Sequence, residues 1–279
     1  MASEAQFVDA TLAESLLGVG PNPGNDRVDD LAFQQPRRTV IVFVGMAFEA
    51  RIASGPGVSV FSRGSRRELA LAAESATRQG YHGIISFGVA GGLAADLRPG
   101  DWVIASAIVG SGTSSPTDAA WSRRLCDAIA GATYAPIIGV DTAVAEPLAK
   151  RELHRATGAA AVDMESHVVA ALAAAHGLAF TALRVIVDPA ARTIPQAALR
   201  GMGAGGRADS VAVLRDLMAR PSQLSGLARV SLDAFIARSE MMRVRRLLGP
   251  HFGMTDLTRT KLTEAHVPQA DVAPYRSPA

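Results

Sequence analysis

The sequence predicts an α/β fold in which a central sheet is flanked by helices and followed by a helical C-terminal extension. Three observations predict it. Short apolar runs such as Val40–Val44, Ile84–Phe87 and Phe180–Val187 read as buried strands. Segments with helical spacing separate these runs, and strands alternating with helices build a helix-covered sheet. From residue 207 to residue 248 the pattern is helical only, broken at Pro221.

Residues 1–37 read as an arm, expected to be flexible, with a turn-rich cluster at Asn22–Asp26 after a short amphipathic piece around Leu12–Leu17. Val40–Val44 is a strand ended by Gly45, and Val58–Phe61 is a weaker one. Ser65 caps a helix that runs to Gln79, with Leu69, Ala72, Ala73 and Ala76 on one face and Gly80 as the stop. Ile84–Phe87 is a strand feeding a glycine loop, Gly88-Val89-Ala90-Gly91-Gly92. Trp102–Val109 is the next strand, introduced by Pro99-Gly100-Asp101. Helices follow near Asp118–Ala130 and Pro147–Thr157, with a strand at Pro136–Val140 between them. Ala159–Val162 leads into a helix over about Met164–His176, and Phe180–Val187 is the last strand. The tail after Gly249 has little periodicity and is expected to be poorly ordered.

Composition narrows the function classes. The chain has 279 residues, 48% hydrophobic and 19% charged, enough for one large domain or two small ones. A formal charge of +2 offers no bulk electrostatic case for nucleic acid. The single cysteine, Cys126, excludes an intramolecular disulfide and reads as a small core residue of a helix. The six histidines are scattered without ligand spacing, so no metal site is expected. No leader pattern and no apolar run of spanning length is read.

Two carboxylates stand at strand ends, where ligands of open α/β sheets bind. Asp188 follows an apolar strand and is held extended by Pro189. Desolvation there would raise its pKa and make it a general acid near neutrality; a turn-forming Asp-Pro is the plainer alternative. Glu165 stands at a helix start, either as a first-turn acid or as a carboxylate accepting from a sugar diol. Glu49 reads as an acid capping a turn after the first strand. Arg184 falls inside an apolar strand, where an unpaired charge is costly, so it needs a carboxylate partner, Glu49 or Glu165. Gly88, Gly91 and Gly92 permit close approach of the backbone to a ligand.

Together these segments resemble the nucleoside phosphorylase and nucleosidase superfamily. The matching motifs are Gly88-Val89-Ala90-Gly91-Gly92-Leu93 with Pro99-Gly100-Asp101, Val162-Asp163-Met164-Glu165, and Arg184-Val185-Ile186-Val187-Asp188, in the family's order over about residues 39–190. Within it the likeness is to the methylthioadenosine/adenosylhomocysteine nucleosidase type. It is closest to the hopanoid-associated phosphorylase branch, through Gly45–Ala53, Thr117–Trp121, Ala161–His167 and Gly205–Asp209. The resemblance implies a single-domain phosphorylase/hydrolase-like fold with a twisted mixed sheet. Residues 38–200 would form the catalytic domain, 201–249 a helical extension packed on it, and 250–279 a tail.

The resemblance also implies roles. Asp188 would protonate or hydrogen-bond purine N7, Glu165 would hold the ribose hydroxyls, and Met164 would pack under the sugar. Glu49 would orient or deprotonate water, with Arg184 close by. Met46, Phe48, Val89, Ala90 and Gly91 complete the substrate-binding set. Val89 and Val187 depart from the family, where serine or threonine is common, and valine donates no hydrogen bond. No arginine stands in the glycine loop; Arg51 and Arg63 are the candidate phosphate ligands. Water is therefore favoured over phosphate as nucleophile. The implied substrate is an adenine nucleoside with a bulky 5′ substituent, adenosylhopane, cleaved to ribosylhopane or phosphoribosylhopane plus adenine in hopanoid biosynthesis. A methylthioadenosine/adenosylhomocysteine nucleosidase and a non-enzymatic nucleoside-binding relative are the alternatives. No cofactor is implied. A homodimer or larger homo-oligomer is expected, in the cytoplasm, with peripheral contact at the inner membrane as a variant suggested by the apolar and basic residues 224–248.

Overall fold

The computed structural model describes residues 40–55, 58–62, 66–110, 113–195, 198 and 224–254. The expected N-terminal arm, most of the tail, Arg63, the Gly205–Asp209 segment and the first part of the expected helical extension lie outside these residues.

Strand β1 (Val40–Val44) shows how the sheet is made. Its side chains alternate between two faces, as a strand's must. Val40, Val42 and Val44 join one buried cluster, and Ile41 and Phe43 join another. The chain continues through α1 (Ala47–Ala53), β2 (Ser59–Ser62), α2 (Arg66–Arg78), β3 (Gly83–Gly92), β4 (Trp102–Gly110) and β5 (Thr113–Pro116). It proceeds through α3 (Ala119–Ala128), β6 (Thr133–Gly139), α4 (Pro147–Thr157), β7 (Ala161–Asp163), α5 (Ser166–Ala175), β8 (Ala179–Asp188) and α6 (Leu224–Leu248).

The eight strands form one mixed sheet in the order β2-β1-β3-β7-β6-β4-β5, with β8 bridging β3 and β4. The pairings close a ring, β3–β7–β6–β4–β8, from which β1 and β2 extend beyond β3 and β5 extends beyond β4. Strands β1, β3 and β8 run parallel, so their carboxyl ends emerge together. Strand β7 runs antiparallel to β3 and pairs Val162 with Gly91.

Helices cover both faces. Ala73 of α2 and Val169, Ala170 and Ala173 of α5 pack on Ile41, Phe43, Ile84 and Ile186. Trp121 and Leu125 of α3 pack on the opposite face with Val42, Phe87 and Trp102, and α6 joins them. In α6 the buried residues Ala237, Met241, Val244 and Leu248 form a helical stripe, whereas Phe235 and Leu247 are exposed. Arg245 turns inward: its guanidinium donates to the carbonyls of Ala53 and Gly249 and lies over the Phe252 ring. Cys126 packs, partly buried, against the same core.

Three expectations are corrected. The glycine stretch 88–92 is the end of β3, not a loop, because β7 and β8 both pair with it. Helix α1 stands where only a turn was expected, and β5 was not foreseen. Glu165 is the N-cap of α5, one residue ahead of the helix rather than inside its first turn. Among the described residues no helix is long and apolar enough to cross a membrane.

Candidate active site

The site forms where the ends of β1, β3, β7 and β8 meet. Glu49 is brought there by α1. It occupies the third helical position, so its carboxylate folds back over the helix start, where amides lack intrahelical partners. Oε2 accepts from the amides of Gly45 and Met46, each at 2.8 Å, and Oε1 accepts from the Val89 amide at 2.9 Å. The side chain is buried. Burial, with a smaller push from Glu165, raises its pKa to about 7, although Arg184 and the Val89 and Met46 amides act in the opposite direction.

Arg184 is fully buried in β8 opposite Gly88 of β3. The sequence required an acid beside it and named Glu49 or Glu165. The direct partner is instead Asp163, whose Oδ2 accepts from Nε at 2.5 Å. The reason is topological: antiparallel β7 carries Asp163 back along β3 towards Gly88, whereas Glu165 lies beyond the strand. Arg184 Nη2 donates to Ser86 Oγ at 2.6 Å and lies 3.9 Å from Glu165 Oε2. Its Nη1 is buried without a hydrogen-bond partner among the described residues.

Gly88 makes this cluster sterically feasible. A Cβ there would lie 2.5 Å from both Arg184 Nη1 and Glu49 Oε1, so the unpaired donor and the carboxylate flank one point. Gly45 serves Glu165 in the same way, since a Cβ would lie 2.6 Å from Glu165 Oε1. Asp163 has a second task. Its Oδ1 accepts from Ser166 Oγ at 2.7 Å and from the Ser166 amide at 3.0 Å, fixing the start of α5 and with it Glu165.

Asp188 ends β8, buried and laid over Gly91, where a Cβ would be 3.2 Å from its Oδ2. Burial raises its pKa against the opposing pull of Lys150. Lys150, on the inner face of α4 with Pro147, Leu153 and His154, donates from Nζ to Asp188 Oδ2 at 2.5 Å. Sequence reasoning missed both Asp163 and Lys150. Helical spacing from Pro147 could have put Lys150 on an inner face, but the neighbouring Leu148, which is exposed, points the apolar face elsewhere.

The remaining candidates divide. Met46, Phe48, Val89, Gly91 and Met164 are half-buried around this cluster, and Ala90 is buried. Val89, Val187 and Phe48 all pack, partly buried, against the same core cluster. Arg51 is exposed on the last turn of α1, so the buried guanidinium at this site is that of Arg184.

The model of the phosphorylase superfamily matches residues 65–222, more than half of the chain. The chain belongs to the phosphorylase superfamily. No curated protein matches it significantly. Among solved structures, futalosine hydrolase of Helicobacter pylori strain 26695 is similar at 16% identity and a TM-score of 0.53, over 77% of this chain and 97% of that one. The 5′-methylthioadenosine/S-adenosylhomocysteine nucleosidase of Helicobacter pylori, with butyl-thio-DADMe-Immucillin-A, is similar at 17% identity and a TM-score of 0.51, over 75% of this chain and 95% of that one. At these identities the likeness establishes a shared fold. As a member of the superfamily the chain is an enzyme.

Proposed function

We propose that the chain hydrolyses the N-glycosidic bond of an adenine nucleoside with a bulky apolar 5′ substituent, adenosylhopane, giving ribosylhopane and adenine. The observation that carries this reading is Glu49: a buried carboxylate with a pKa near 7, fixed by three amides, beside an unpaired Arg184 N–H. A base poised near the working pH and a fixed neighbouring donor suit the activation of water.

In the proposed step, the bond between the anomeric carbon and purine N9 breaks, and its electron pair leaves with the base. Asp188 gives its proton to N7, so adenine leaves neutral. Water attacks the anomeric carbon and yields a proton to Glu49. Glu165 accepts from the ribose hydroxyls. The ionised carboxylates stabilise a developing oxocarbenium charge more than the neutral ground state, as catalysis requires.

Water is favoured over phosphate because phosphate needs several fixed donors to offset its desolvation. Here Arg184 gives Nε to Asp163 and Nη2 to Ser86 and has Nη1 left for one ligand atom, and Glu49 and Glu165 would face an incoming anion. The valines at 89 and 187 add no donor. A bulky apolar 5′ group is supported by Phe48, Val89 and Val187, which pack on one side of the core. The proposal includes a cytoplasmic homo-oligomer that needs no cofactor.

The test is adenine release from adenosylhopane and from methylthioadenosine, each with and without excess phosphate, with mass analysis of the sugar product. Free ribosyl product from adenosylhopane in millimolar phosphate supports the proposal. A dominant ribose-1-phosphate species overturns hydrolysis, preference for methylthioadenosine overturns the substrate, and saturable binding without adenine release overturns cleavage of this nucleoside.

A further inference from the structure

Lys150 is the buried charge that the proposed chemistry leaves without a task. Its side chain is wholly inaccessible to solvent. Nζ meets three acceptors: Asp188 Oδ2 at 2.5 Å, the Pro189 carbonyl at 3.1 Å and the Arg192 carbonyl at 3.0 Å. An ammonium has three N–H donors, so the set is complete. Among the described residues Asp188 Oδ1 accepts no hydrogen bond, so the two oxygens of this carboxyl are unequal.

That inequality has a chemical consequence. An oxygen that accepts an N–H from an ammonium at 2.5 Å is a poor place for a carboxyl proton, because two hydrogens would then face each other. We propose that Lys150 is a positioning residue for Asp188: by occupying Oδ2 it confines the transferable proton to Oδ1, the oxygen left to meet the nucleobase. This inference rests on the reading of Asp188 as the acid that serves the departing purine.

The surroundings of Asp188 make Lys150 its principal charge partner. From α4 comes Lys150 itself. From the segment after β8 comes Arg192, whose guanidinium is engaged with Asp233 of α6. From β3 the carboxyl meets Gly91, which brings no charge. The favourable pull on the ionised form therefore comes first from Lys150 and then from Arg192, against burial. Without Lys150 the acid would hold its proton more tightly and on either oxygen. Two changes follow: a weaker acid, and a proton pointed at the base only part of the time.

A merely structural lysine, one that only ties the Pro189–Arg192 segment to α4, would change stability and leave the acid alone. The pH profile separates the two roles. The protonated acid is the active form, so turnover falls on the alkaline side as Asp188 ionises. Removing a neighbouring positive charge raises that pKa, so the alkaline limb moves up.

The experiment compares wild type, Lys150→Met, Lys150→Arg, Asp188→Asn and the Lys150→Met/Asp188→Asn double variant on the full chain, each checked for folding. Adenine release from adenosylhopane and from methylthioadenosine is followed across pH. Lys150→Met is expected to move the alkaline limb of kcat/KM up by about one unit or more, and to lower kcat at least about tenfold with KM little changed. In the Asp188→Asn background it should have no further effect on kcat. A folded Lys150→Met with wild-type kcat and limb overturns the inference. Lys150→Arg tests it should the methionine variant not fold. Its charge should keep the limb near wild type, but its planar fork does not match three converging acceptors, so kcat should fall; a wild-type kcat overturns the positioning role. If Asp188→Asn itself turns over at the wild-type rate, the acid assignment has failed, and that result is read separately from the Lys150 variants.

Discussion

Asp163 Oδ2 lies 2.5 Å from Arg184 Nε, with both side chains buried, and its other oxygen caps α5. One carboxylate thus neutralises the buried guanidinium and anchors the helix that presents Glu165. Asp163→Asn would leave the guanidinium without its direct counter-charge. Removing one partner of a buried pair costs about 3–5 kcal/mol. Denaturant unfolding of the variant should show a loss of that order. A loss below about 1 kcal/mol would mean that Glu165 or Glu49 takes over the charge.

Glu49 predicts a pH dependence with two opposite signs. Its folded pKa is raised from 4.5 to about 7, so the folded state holds a proton that the unfolded state has released. Stability should therefore fall as pH rises through that window, the reverse of a salt-bridged carboxylate. Activity should rise through the same window, because the ionised form is the base. Glu49→Gln should remove this component of the stability slope and lower turnover by about 10²–10⁴-fold. Thermal melts from pH 4.5 to 8 beside a rate profile check both signs; an unchanged slope in Glu49→Gln would assign the pH dependence to other groups.

Gly88 is a steric test of the same cluster. Its missing Cβ is replaced by Arg184 Nη1 and Glu49 Oε1, each 2.5 Å from where that carbon would stand. Both groups are held by other bonds, so neither yields cheaply. Gly88→Ala should retain the fold with a stability loss of about 1–3 kcal/mol, yet lose most activity by displacing the two groups. Near wild-type turnover would show that their spacing is not critical.

The strands were legible where local chemistry decides them. Val40–Val44 is β-branched and apolar and is ended by a glycine, and β1 has those bounds. Pro147 opens α4 and Gly158, at φ 68°, closes it, and the helix has the predicted bounds. The ring was not legible, because pairing β8 with both β3 and β4 is a non-local choice that no single segment encodes. The acids at the strand ends were found because a carboxylate beside an apolar run is visible in sequence. Their partners were not. Asp163 stands within the same motif as Glu165, and only the antiparallel course of β7 sends it to Arg184. Lys150 looks like an ordinary surface charge on an amphipathic helix until α4 is packed beside β8.

Asp188 carries the acid assignment most directly. An amide keeps the shape of the carboxyl but has no transferable proton. Asp188→Asn should retain nucleoside binding and lose turnover by about 10²–10⁴-fold. Binding measured by calorimetry beside adenine release decides it, and cleavage at a near wild-type rate would remove Asp188 from the chemistry.

Glu165 is the test of sugar recognition. Its side chain is 23% exposed, lies against Gly45, and stands 3.9 Å from Arg184 Nη2, so it is held at the cluster and reaches solvent. An ionised carboxylate accepts from two hydroxyls at once, while glutamine offers one accepting oxygen and a donor that opposes the second. Wild type should therefore prefer ribose to 2′-deoxyribose by more than Glu165→Gln does. A hydrogen bond to a charged group is worth about 1.5–3 kcal/mol, so the preference should shrink by about tenfold or more. The two nucleosides are compared by kcat/KM in both proteins. Equal losses on both sugars would place Glu165 away from the diol and leave it as a charge partner of Arg184.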